Sequence, residues 1–314
     1  MHVVVTGGAG FLGQRLAHKL LQDSRLQSLA LADIVAPPGP KDERVRLIQA
    51  DLTAPQAAKD LIASETTVVY HLAAVVSGQA ETHFDLGMAV NCDGTRYLLE
   101  AVRQQAPGAM FIFASSLAVF GGDLPAVISD STAVMPQSSY GTQKAVSELW
   151  VNDYSRKGFL DGRVLRLPTV CVRPGKPNAA ASSFASSIIR EPVNGEAAIC
   201  PVDPDLRLWL SSPNAVVNNL VSAQAVDAER LGFTRTVNLP GITVSVAEMI
   251  ESLKQVVGTE TADRISYEPD ETISKIVASW PSEFEVSRAV DLGFVGDRNF
   301  DDIVRAFVLE QADR

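Results

Sequence analysis

The segment Thr6-Gly7-Gly8-Ala9-Gly10-Phe11-Leu12-Gly13 most constrains what this chain can fold into. It follows a valine-rich run, His2–Thr6, that reads as a buried strand. It leads into Phe11–Gln22, whose apolar positions 11, 12, 16, 20 and 21 have helical spacing. Glycines 7, 10 and 13 each meet a physical need at such a strand-to-helix junction. Gly7 permits the tight turn, Gly10 lets the backbone approach a pyrophosphate, and Gly13 lets the helix pack close to the sheet. The phosphates would sit on the free N–H groups of the helix N-terminus, which carries a partial positive charge.

A second feature narrows the ligand. Asp33 closes the next apolar run, 20 residues after Gly13. A carboxylate there accepts both hydroxyl hydrogens of an adenosine ribose and repels the extra phosphate of NADP. Ile34 follows it rather than arginine, which again favours NAD. Asp51 and Leu52 come after the third strand and flank the adenine in this scheme. Ala73 and Ala74 come after the fourth, where small side chains leave room for a cofactor.

The first 170 residues alternate short Val, Ile and Leu runs with amphipathic segments. Strands are expected at His2–Thr6, Leu29–Leu31, Val45–Ile48, Val68–Leu72, Met110–Ala114 and Arg163–Leu167, and helices at Phe11–Gln22, Asp93–Gln105 and Tyr140–Tyr154. This alternation predicts an α/β fold with a doubly wound parallel sheet covered on both faces. The pattern changes after Leu167, where prolines, glycine and the small polar run Ala179–Ser187 read as loops. Helices are expected there at Val216–Val226, Val246–Val256 and Asp301–Leu309. Residues 1–170 are thus expected to form a dinucleotide-binding domain, to which elements at about 212–240 return. Residues 171–314 would form a smaller, mainly substrate-binding region.

Bulk properties exclude other classes. A net charge of −10 over 314 residues disfavours nucleic acid and anionic membrane surfaces as partners. No apolar run approaches the roughly 20 residues of a membrane span. The opening peptide lacks the basic leader and cleavage motif of a signal peptide, so the cytoplasm is the expected compartment. Cys92, Cys171 and Cys200 are widely spaced, and are expected as buried thiols rather than a disulfide or metal framework.

Catalytic chemistry is expected at Tyr140-Gly-Thr-Gln-Lys144. A spacing of four puts phenol and ammonium on one helical face. A phenol with a pKa near 10 becomes a usable base when neighbouring positive charge favours its phenolate. The fifth strand runs into Ser115-Ser116, at the strand end where catalytic groups gather beside a cofactor.

Together, TGGAGFLG, HLAA (71–74), SSLAVFGG (115–122) and YGTQK (140–144) resemble the landmarks of the extended short-chain dehydrogenase/reductases, the NAD-dependent epimerase/dehydratase family. The resemblance implies a Rossmann-type sheet with a smaller C-terminal substrate-binding domain, and NAD as cofactor. It implies a catalytic Ser116, Tyr140 and Lys144, with Ser115 in support and Asn91 bracing the site. It also sets Phe11, Leu12, Tyr140, Lys144 and Pro168 against the cofactor. A homodimer through the helices near 93–105 and 140–154 is a further implication.

The chain departs from the sugar-nucleotide epimerases of that family at Phe120, where many have tyrosine, and at Leu167-Pro168-Thr169-Val170, where an asparagine is usual. Its segments at 121–127, 171–184 and 205–213 instead resemble the D-erythronate dehydrogenase branch, which oxidises the C2 hydroxyl of a four-carbon sugar acid. A small hydroxy acid needs a cation for its carboxylate. Arg207, aligned with a phosphate-binding arginine of many epimerases, and Arg173 are both candidates. Asn178, Ser182 and Ser183 are candidates for the hydroxyls. His71 and Trp280 read as packing residues, and Trp209 as either pocket wall or core. Two rivals remain: a sugar-nucleotide epimerase or dehydratase with retained NAD, and a non-catalytic dinucleotide-sensing regulator.

Overall fold

The computed structural model describes residues 1–175 and 180–312. Its centre is a seven-stranded sheet built from β1 (His2–Thr6), β2 (Ser28–Asp33), β3 (Val45–Gln49), β4 (Val68–His71), β5 (Met110–Ser116), β6 (Asp161–Leu167) and, much later in the chain, β10 (Thr236–Asn238). The spatial order is β3-β2-β1-β4-β5-β6-β10, and every neighbouring pair is parallel. The order reverses between β1 and β4, and the crevice at that switch point is where such sheets bind ligands.

Alternation along each strand divides the apolar side chains between two layers. Val3, Val5, Leu29, Leu31 and Ile112 pack with Leu16 and Leu20 of the helix Phe11–Leu20 and with Val216 and Leu220 of the helix Pro213–Ser222. Val4, Val69, Phe111 and Phe113 face the other way, onto Leu98 and Val102 of the helix Thr95–Gln105 and Val151 of the helix Ser139–Arg156. Residues 93 and 94, expected to open the first of those two helices, belong instead to a wider helical turn over residues 88–94, and Asn91 lies within it.

The second half is more ordered than its loop-like composition suggests. Between β6 and β10 in the chain lie β7 (Thr169–Val170), β8 (Ala198–Cys200) and β9 (Arg207–Ser211), and after β10 come β11 (Ile242–Ser245) and β12 (Ile265–Tyr267). They form a three-stranded sheet, β11-β9-β7, and a two-stranded one, β12-β8. The run Ala179–Ser187, expected as a loop, is in part the start of the helix Ser183–Val193. Phe184, Ile188 and Ile189 of that helix bury against Leu208, Leu210, Met249 and Phe307 in a separate core. Serines and alanines masked this apolar face. Cys92, Cys171 and Cys200 are free and buried. Among the described residues no helix is long and apolar enough to cross a membrane.

Candidate active site

The cleft begins at the glycine loop. Gly7 has φ +73°, and a Cβ there would come within 2.8 Å of the Ala73 nitrogen. A Cβ on Gly13 would lie 2.3 Å from the Gly7 carbonyl oxygen, so only glycine permits this approach of helix to loop. The helix has no side-chain cap at Gly10 and no acidic residue in its first turn. Its first intrahelical bond is Gln14 N–H to the Gly10 carbonyl, 3.0 Å. The earlier N–H groups of Phe11, Leu12 and Gly13 therefore lack intrahelical acceptors and suit an anion. Gly7, Gly10, Phe11, Leu12 and Gly13 all line the cleft, as do Ala74 and Pro168.

Asp33 stands at the end of β2, and its Oδ2 accepts the Ala9 N–H at 2.9 Å. One carboxylate oxygen thus holds the loop in shape. Asp51 is exposed and accepts the Thr53 N–H and hydroxyl at 2.9 and 2.8 Å. Leu52 is buried in the sheet-covering core, and Ala73 backs Gly7. None of these four belongs to the walls of the catalytic part of the cleft.

The reacting end joins β5 to the start of the helix Ser139–Arg156. Ser138 caps that helix by accepting the Gly141 N–H at 3.1 Å, which leaves Tyr140 and Lys144 in its first turns. Ser116, Tyr140 and Lys144 all line the cleft. Ser116 shares this stretch of the cleft with the Tyr140 phenol, and its oxygen accepts the Ala118 N–H at 3.2 Å. Ser115 turns away and donates to Glu148. The Lys144 ammonium donates to the Ala114 carbonyl at 2.8 Å and sits 5.7 Å from the centre of the Tyr140 ring.

Burial pushes the Tyr140 phenol up to about 12. The Ser116 hydroxyl and then the Arg173 charge pull the other way. Burial also lowers Lys144 to about 8, opposed by the Glu148 and Cys92 side chains, so the ammonium persists at neutral pH. His71 is a packing residue: it lies between the hydroxyls of Thr6 and Thr95, at 2.7 and 2.8 Å, and burial lowers its pKa to about 3.

Two features of this wall escaped the sequence reading. Asn91 does its bracing through the amide of Gln143: Nδ2 donates to Gln143 Oε1 at 2.7 Å and to the Val75 carbonyl at 3.0 Å, while Oδ1 accepts the Val75 N–H at 2.8 Å. Glu148, one turn beyond Lys144, receives Ser115 and two nitrogens of Arg166 (2.9 and 2.6 Å), all buried. The spacing Tyr140-x-x-x-Lys144-x-x-x-Glu148 was the available signal.

The opposite wall carries Arg173, Ser182, Ser77 and Trp280. Arg173 is largely buried and donates to the Ser182 hydroxyl at 3.3 Å. Among the described residues it has no carboxylate partner. Ser77 accepts the Ala181 N–H at 3.4 Å, which closes this wall onto the loop after β4. Ser183 opens its helix outside the cleft wall, and Asn178 lies outside the described residues. Arg207 requires correction: it is exposed at the start of β9, paired with Ser245, and it does not line the cleft. Trp280, expected as core, is a wall residue. Trp209 is core, stacked on Phe284 at 5.1 Å.

A glycine-loop anion site continuous with a Ser116–Tyr140–Lys144 cluster defines an NAD-dependent oxidoreductase acting on a CH–OH group. Residues 3–213 match the NAD dependent epimerase/dehydratase family, and the chain belongs to that family. It is 53% identical to the D-erythronate dehydrogenase of Cupriavidus necator, over 98% of both chains. It is 52% identical to that of Haemophilus influenzae, over 98% of this chain and 99% of the other. A crystal structure described as the nucleoside-diphosphate-sugar epimerase of Agrobacterium tumefaciens is 41% identical with a TM-score of 0.95, covering 100% of this chain and 95% of that one.

Proposed function

We propose that this protein oxidises the C2 hydroxyl of D-erythronate to the 2-keto acid with NAD. The observation that carries the substrate class is Arg173, a largely buried cation that lines the cleft with Ser116 and Tyr140 and has no carboxylate partner among the described residues. A buried guanidinium without a counter-ion is costly, and a substrate carboxylate supplies one. The identity of more than half to two D-erythronate dehydrogenases supports the particular acid.

In this reading Arg173 and Ser182 hold the carboxylate, which sets the C2 hydroxyl at Ser116 and Tyr140. Ser116 fixes the hydroxyl, and the Tyr140 phenolate takes its proton as the C2–H bond breaks. NAD, when bound, would supply the hydride acceptor and a positive ring charge that offsets the burial of the phenol. Lys144, anchored on Ala114, would hold the nicotinamide ribose. The phosphates would lie on the N–H groups at Phe11–Gly13, and Asp33 would take the adenosine ribose through its remaining oxygen.

The test is formation of NADH, followed by absorbance, with NAD and a panel of four-carbon sugar acids. D-Erythronate should give the highest kcat/KM; no turnover of any member would overturn the reading. The A. tumefaciens likeness favours a second reading, a nucleotide-sugar epimerase. That enzyme would isomerise a sugar nucleotide with no net NADH, and the same absorbance assay separates the two.

We infer further that two chains pair through the helices Thr95–Gln105 and Ser139–Arg156. Leu149 supports this, being 70% exposed on the second helix. Leu149→Asp should give monomers in sedimentation. Three buried free thiols support a reducing compartment, the cytoplasm.

A further inference from the structure

Trp280 lines two cavities. It shares the catalytic cleft with Tyr140 and Arg173, and it shares a second cavity with Phe120, Gln137, Ser138 and Ser279. Ser77 and Ala118 also line both, but both are small, so the indole is the bulk that separates the two spaces. Packing holds it there. It follows the helix Glu271–Ala278, its N–H donates to the Val277 carbonyl at 3.2 Å, and it packs against the cluster of Phe120, Trp209 and Phe284. Among the described residues the indole N–H has no partner, which leaves it available to a ligand hydroxyl.

The reaction geometry gives this position a meaning. For a 2-hydroxy acid anchored by its carboxylate at Arg173 and by its C2 hydroxyl at Ser116 and Tyr140, Trp280 is the largest side chain of the remaining cleft lining that a longer tail would meet. We propose that Trp280 is the partition that ends the substrate pocket after four carbons. The cavity behind it is a latent subsite for the hydroxylated tail of five- and six-carbon sugar acids. Its lining suits such a tail, because Gln137, Ser138 and Ser279 carry donors and acceptors beside the apolar Phe120 face. The inference rests on the sugar-acid reading above.

Wild type, Trp280→Phe and Trp280→Ala would be compared in NADH formation with four-, five- and six-carbon aldonic acids, with NAD affinity and melting temperature measured alongside. The ratio of kcat/KM for five- over four-carbon acids should rise about tenfold or more in Trp280→Ala and less in Trp280→Phe, since one carbon unit in a pocket is worth roughly 10–200-fold. NAD affinity should not change. An unchanged ratio in folded Trp280→Ala would overturn the partition, as would wild-type turnover of five-carbon acids equal to that of four-carbon acids. Should the alanine variant fail to fold, Trp280→Leu carries the same ratio test. Absence of wild-type turnover with every four-carbon acid overturns the substrate reading instead. The partition is then decided by calorimetry of five- against four-carbon acids on the NADH complex: a higher ratio in Trp280→Ala upholds it, and a flat ratio ends it.

Discussion

The two walls of the cleft come from different kinds of chain. Ser116, Tyr140 and Lys144 stand on the end of a central strand and the start of an 18-residue helix, backed by Glu148, Arg166, Asn91 and Gln143. Arg173, Ser182, Ser77 and Trp280 stand at the borders of short elements in the connecting chain. On the proposed reading, the first wall keeps a phenol, a hydroxyl and an ammonium in register through proton transfer, and the second matches one molecule among many similar ones. On that reading chemistry is left to the sheet and selectivity to segments that can change without disturbing it.

This contrast can be broken most directly at Tyr140. Tyr140→Phe should lower kcat by about 10²–10⁴-fold while NAD affinity, measured by fluorescence titration, changes less than about twofold. Retained turnover would remove tyrosine from its role. On the other wall Arg173→Met should raise KM for the acid about 10–100-fold, the size of a charge-assisted hydrogen bond, with a smaller effect on kcat. A drop in kcat alone would move Arg173 into the chemistry.

Smaller effects sharpen the same comparison. Gly13→Ala places a Cβ against the Gly7 oxygen; it should cost about 1–3 kcal/mol of stability and weaken NAD binding, as read by denaturant titration with and without NAD. His71 probes the rigid side through pH. Its folded pKa of about 3 lies below the ordinary 6.5, so the unfolded chain binds the extra proton between those values. Its contribution is therefore full above pH 6.5 and is lost as pH falls toward 3, by at most about 1.4 kcal/mol per pH unit. His71→Asn should flatten that slope in acid unfolding curves. Arg207→Met should leave KM within about twofold, because Arg207 is an exposed residue on β9; a large rise in KM would return the carboxylate to it.

Legibility followed the same division. Strand periods and the glycine loop announced β1 to β6 and the cofactor loop, because burial on both faces forces continuous apolar runs. Tyr140 and Lys144 were readable because a fixed helical spacing is written directly in the chain. Arg207 misled because its alignment carried the role of an epimerase residue, whereas the short β9 turns it outward here. Trp280 and Ser77 were not readable: each reaches the cleft through contacts more than a hundred residues away in sequence, such as Ser77 with Ala181. The helix Ser183–Val193 was hidden because its polar serines punctuate an apolar stripe.

The position of β10 beside β6 has a consequence for how the chain is made. Thr236–Asn238 completes the edge of the sheet that carries Ser116, yet it leaves the ribosome after Arg173 and Ser182 of the other wall. Asn238 also contacts both Arg166 and Asp130, so that edge is tied to the backing of the catalytic helix. A nascent chain that stops near residue 230 would expose the β6 edge and leave Arg166 short of a partner. Long-range parallel pairing of this kind is slow to form and open to misassociation until it closes. The central sheet is therefore not complete until residues 236–238 have been made, and synthesis, not only stability, links it to the chain between β6 and β10.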